Sequence, residues 1–150
     1  MPSQKTNAIG DYIDTVTATT VTSGTNVSTT FNLLGHIPGV CSFSTTSMAF
    51  GSYSGSNLDA TATLTVNCTS GGAYSLAMGA GSNSNGSTRR MTNGSGSYLN
   101  YGLYSDSGRT TAWGDGAAYG SMVSGTGSGA NQTITVTASY SDTVIVTLNY

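Results

Sequence analysis

The amino-acid sequence predicts an all-β sandwich. Runs that alternate Val, Ile, Phe or Tyr with Thr or Ser recur along the 150 residues, which is the period of a strand with one buried face. Between the runs lie clusters of Gly, Ser and Asn, the residues that supply turns; Gly numbers 21 and Pro only two. Sustained helical periodicity is nearly missing and all six acidic residues are Asp, so the Glu and Lys that helices favour are nearly absent. Short strands at this spacing argue for two packed sheets rather than alternating strands and helices.

Taken in order, the first run covers residues 11–22 and the second 26–34. The second places Val27, Thr29, Phe31 and Leu33 on one face, an amphipathic strand ahead of both cysteines. Pro38-Gly39 is a turn. Runs at 40–50 and 59–68 carry Cys41 and Cys68, and another follows at 73–79. The Gly/Ser/Asn stretch 79–96 reads as a mobile loop, as does 124–129. Further runs span 98–105, 119–123, 131–138 and 142–150. In the last, Val144, Val146 and Leu148 are expected to turn inward, with Thr143, Ile145 and Thr147 opposite. That last run is a near copy of the first: Tyr140-Ser141-Asp142-Thr143-Val144 repeats Tyr12-Ile13-Asp14-Thr15-Val16. Two copies of one strand imply one whole domain plus a strand that belongs to, or imitates, another.

Composition narrows the function. Four basic residues, Lys5, Arg89, Arg90 and Arg109, give no clustered positive footprint for nucleic acid. No run reaches the ~18 apolar residues of a membrane span, and Met1-Pro2-Ser3-Gln4 leads into polar sequence rather than a signal peptide. Cys41 and Cys68 read as one disulfide formed in an oxidising compartment, with two free buried thiols as the alternative.

Enzyme chemistry lacks an inventory. His36 is the single imidazole, and neither cysteine has a His neighbour for a nucleophile–base arrangement. A zinc site would need three or four Cys or His ligands from the three present in all. Asp106-Ser107-Gly108 and Asp115-Gly116 resemble oxygen-rich calcium loops only loosely; their spacing fits no EF-hand, and carboxylates accepting backbone N–H groups in turns are the simpler reading. Trp113 is expected to pack in the body of the domain, and Arg89 and Arg90 to form a solvated loop face. No catalytic residue, metal or cofactor is assigned.

From Cys41 onward the residues carry a resemblance. Phe50-Gly51-Ser52-Tyr53, Leu64-Thr65-Val66-Asn67-Cys68-Thr69, Arg89-Arg90-Met91, Leu99-Asn100-Tyr101-Gly102, Trp113-Gly114-Asp115-Gly116 and the closing Tyr140-Ser141-Asp142-Thr143-Val144 strand resemble the spore coat protein U domain, the family of archaic chaperone-usher pilins. Members usually carry a Tyr-Gly-Arg-Ile-Pro-like stretch before the final strand, whereas here Thr133-Ile134-Thr135-Val136-Thr137 passes straight to Ala138-Ser139-Tyr140. Met1-Pro2-Ser3-Gln4 followed by Gly10-Asp11-Tyr12 is similar to that very stretch.

The resemblance implies an immunoglobulin-like β-sandwich (pilin fold) with an N-terminal donor-strand extension. Residues 1–35 would be the extension, with 1–22 the terminal strand of a preceding domain or its equivalent and 26–34 a donor-type strand; residues 36–150 would be the pilin-like domain. In such pilins the donor strand completes the sheet of a neighbour, so Val27, Thr29, Phe31 and Leu33 would plug a groove in another copy or another domain. The implied protein is a structural subunit of a secreted bacterial surface filament, not an enzyme, that supports adhesion and biofilm formation. Its partners would be copies of itself or related pilin subunits, with a periplasmic chaperone and outer-membrane usher during assembly. Two alternatives remain: a domain of a two-domain tip adhesin that binds surfaces, and a Thr-patterned ice-binding or coat protein suggested by Thr61, Thr63 and Thr65 and by Thr133, Thr135 and Thr137. The latter needs adjacent strands in register.

Overall fold

A computed structural model describes residues 7–52 and 56–140 of the chain. The order is β1 (Gly10–Thr22), β2 (Thr25–Ile37), β3 (Cys41–Thr45), β4 (Leu58–Cys68), β5 (Ala73–Leu76), β6 (Arg89–Thr92), β7 (Tyr98–Tyr104), β8 (Val123–Thr126) and β9 (Gln132–Tyr140). The fold is all-β and sandwich-like, consistent with an immunoglobulin-like pilin fold. A five-stranded sheet has the order β3-β4-β9-β7-β6, β5 and β8 make a second sheet, and β1 and β2 form a separate hairpin. All named strand pairs are antiparallel.

Register places the core. Along β4 and β9 the pairs Ala60↔Ala138, Ala62↔Val136 and Leu64↔Ile134 share one face, and Thr61↔Thr137, Thr63↔Thr135 and Thr65↔Thr133 share the other. The apolar face meets β5 and β8, where Leu64, Val66, Cys68, Trp113 and Val136 form the buried cluster. Trp113 is fully enclosed, its indole N–H donating to the Leu76 carbonyl at 2.9 Å. Gly120 is required where it stands: its φ is +117°, and a Cβ there would collide with the Ala112 backbone.

Several strand limits differ from the sequence reading. The run expected at 40–50 stops at Thr45, and that at 73–79 stops at Leu76. The stretch 79–96, read as a loop from its composition, contains β6; the strand is recruited by pairing Arg89–Thr92 with Tyr98–Tyr101 of β7. The strand expected at 119–123 is instead β8 at 123–126, which takes in part of the loop expected at 124–129. In both cases cross-strand partners override weak local propensity. The final run 142–150, with Val144, Val146 and Leu148, lies outside the described residues.

Candidate strand-accepting groove

Cys41 and Cys68 face each other across the β3–β4 ladder and form a disulfide. The bridge ties the edge strand to the strand that carries Leu64 and Val66. Beyond it the apolar face of the large sheet is only partly covered. A groove of about 340 Å³ opens there, floored by Ala62, Leu64, Val136 and Leu103 and walled by Met48, Phe50, Met78 and Met91. Its lining is nearly all apolar, and methionine side chains adapt to irregular partners. Phe43, opposite Val66 in the ladder, is left largely exposed on the same face. Among the described residues the second sheet offers only the four-residue strands β5 and β8 to cover this surface.

Residues 26–34 make their ladder with β1 of the same chain: β2 pairs from Thr25↔Thr22 to Ile37↔Gly10. The β1 run is the one expected to be the terminal strand of a preceding domain or its equivalent, so the pairing within one chain leaves a ladder with another copy or another domain an expectation. The strand also joins neither sheet of the sandwich. The register puts Val27, Thr29, Phe31 and Leu33 on one face with Thr20, Ala18, Val16 and Asp14. Val27 is 62% exposed and Phe31 and Leu33 are each 52% exposed, so this apolar face is uncovered.

Arg89 and Arg90 correct another expectation. Arg89 is 4% exposed, donates to the Gly79 and Met78 carbonyls at 2.9 and 2.6 Å, and stacks over Tyr119. Burial lowers the pKa of its guanidinium. Arg90 donates to the Asn83 carbonyl and lies over Tyr98. Both hold the 79–96 segment onto the sheet edge rather than forming a solvated face. Their cation–π partners Tyr119 and Tyr98 lie thirty and eight residues further along the chain, so no local pattern marks them in the sequence.

The Asp turns are self-contained. Asp106 accepts from the Thr110 and Thr111 N–H groups and the Thr110 hydroxyl, which lowers its pKa below the usual carboxylate value. Asp115 accepts from the Ala117 N–H and is lowered likewise. Among the described residues no three His, Cys, Asp or Glu side chains converge as a metal site. His36 pairs with Asp11 at 2.6 Å on the exposed hairpin. The Thr ladder of β4 and β9 is in register but two strands wide, bordered by Ser44 on β3 and Tyr104 on β7.

Comparison with curated proteins and with solved structures gives no match. A protein-family model, the Spore Coat Protein U domain, matches residues 27–147. The match begins within β2, leaves β1 outside, and spans the disulfide, the groove and the large sheet. With more than half of its length matched, the chain belongs to the Spore Coat Protein U domain family.

Proposed function

We propose that this protein is a structural subunit of a secreted bacterial surface filament, built by donor-strand complementation and serving adhesion and biofilm formation. Its family is associated with chaperone-usher pili, is a structural pilin-type domain not known as enzymatic, and is linked to extracellular surface and coat proteins. The observation that carries the reading is the apolar groove over Leu64, Val136 and Leu103. An apolar groove left partly uncovered is an aggregation hazard unless something fills it. An added strand does so by hydrogen bonding its main chain while alternate side chains fill the groove. Related subunits would supply the strand, and a periplasmic chaperone and outer-membrane usher would shield the groove until then.

The test is titration with a synthetic peptide of the sequence 25–37. Binding with a raised melting temperature is expected, and Leu64→Arg in the groove floor should abolish it. Peptide binding that is indifferent to Leu64→Arg would remove the groove from the account. Negative-stain microscopy of material from the native cell surface should then show filaments.

The hairpin favours a second reading, in which the chain is part of a two-domain tip adhesin. The β1 strand repeats the terminal run 140–150 and shares a ladder and an apolar face with β2. A pair with one uncovered apolar face is what the last two strands of another sandwich would look like alone.

A further inference from the structure

We propose that the two Asn-Gly peptides of the chain, Asn85-Gly86 and Asn93-Gly94, are sites of self-catalysed deamidation, at which the asparagine becomes aspartate or isoaspartate without an enzyme. They flank β6 on either side, and at both the asparagine, the glycine and the following serine are exposed to water. Among the asparagines of the chain only these two precede a glycine.

The two sites are built alike. Each asparagine Oδ1 accepts two backbone N–H groups: Ser87 and Thr88 donate to Asn85 at 3.3 and 2.9 Å, and Ser95 and Ser97 donate to Asn93 at 2.9 and 3.2 Å. Each glycine N–H donates to the hydroxyl two residues before it, Gly86 to Ser84 Oγ at 3.1 Å and Gly94 to Thr92 Oγ1 at 3.0 Å. A Cβ placed on either glycine would meet nothing within 4 Å, so the space that the asparagine side chain must cross to reach the glycine nitrogen is clear.

Those groups and one water balance the reaction. The glycine nitrogen passes its proton by way of the Ser84 or Thr92 hydroxyl to solvent base and forms a bond to the asparagine Cγ. The carbonyl oxygen becomes an oxyanion held by the two N–H groups that already bind it, the arrangement that stabilises tetrahedral intermediates in acyl transfer. Collapse breaks the Cγ–Nδ2 bond, ammonia leaves with a proton, and a succinimide ring remains. Water opens the ring at either carbonyl, giving aspartate or isoaspartate with no oxidant or reductant involved.

The product changes this surface. Between Asp59 and Asp106 the chain has no acidic residue, and Arg89 and Arg90 are the only charges there. Conversion at both sites sets a carboxylate on either side of that pair and makes the formal net charge of −2 more negative by two. Isoaspartate at 93 also adds a backbone carbon to the link between β6 and β7, next to the Thr92↔Tyr98 pair that fixes their register. The charge of this face is then a matter of the protein's age as well as of its sequence.

The experiment holds the purified full chain at neutral and at mildly alkaline pH while peptide mapping by mass spectrometry follows the exchange of NH2 for OH at every asparagine. Conversion should appear first at Asn85 and Asn93 and run faster at the higher pH. Thr92→Val should slow Asn93 several-fold and leave Asn85 unchanged, Thr92→Ser should restore the parent rate, and in urea the parent and Thr92→Val should convert Asn93 equally. Earlier conversion at any other asparagine, an Asn93 rate that ignores Thr92→Val, or a difference that persists in urea would overturn the inference.

Discussion

Strands β2 and β9 are written in the same language and end in opposite environments. Each alternates apolar and small polar residues: Val27, Thr29, Phe31 and Leu33 in one, Ile134, Val136, Ala138 and Tyr140 in the other. In β9 that face is largely enclosed, with Ala138 fully buried and Tyr140 edge-on to Phe50. In β2 it is open. The two differ in what lies opposite. The β9 strand sits between β4 and β7 in a sheet covered by a second layer, whereas β2 has only β1 beside it and nothing described above it. Alternation thus shows that a face is meant to be buried without showing in which body. An amphipathic strand paired but uncovered is a surface still waiting for its layer.

The comparison would break first at the core. Trp113→Ala removes the largest fully buried side chain and should cost about 3–5 kcal/mol, measured by urea unfolding. A loss below about 1 kcal/mol would mean the sandwich is no better packed than the hairpin.

Removing the Cys41–Cys68 bridge by a double Ser substitution comes next. The bridge spans a sequence separation of 27, and the chain-entropy account gives a loss of about 3.5 kcal/mol. Denaturation midpoints with and without reductant check it. Equal midpoints would show that β3 is held by its ladder alone.

A smaller effect concerns pH. Asp106 has its pKa lowered, chiefly by the Thr110 backbone N–H and then by that of Thr111. A depressed folded value means the stabilisation is present above the unfolded Asp pKa of about 3.9 and is lost as pH falls through the lowered folded value. Asp106→Asn should lower stability near neutrality, where the carboxylate's stabilisation is present, and converge on the parent as pH falls through the lowered folded value, so that the acid limb flattens; a parallel shift at all pH values would assign Asp106 a different role.

The smallest expected effect sharpens the contrast most. Phe31→Asp, on the open hairpin face, should change the stability of the sandwich by no more than about 0.5 kcal/mol and leave peptide binding intact. A large loss in either would place β2 within the domain's own core.

The sequence alone determined the all-β class, because period-two alternation and turn residues are local properties of the chain. Composition pointed to Cys41 and Cys68 as a pair, and the repeat of Tyr12–Val16 at Tyr140–Val144 was legible as identity of residues. Tertiary structure decided the rest. The β6 strand was hidden in a Gly- and Ser-rich stretch because its order comes from Tyr98–Tyr101 across the ladder and from Arg89 capping the Met78 and Gly79 carbonyls. The groove could not be read either, since Ala62, Leu64, Leu103 and Val136 look like any core residues until the covering layer is seen to be narrow. The partner of β2 was decided by a two-residue turn, through chain connectivity that amphipathicity does not encode.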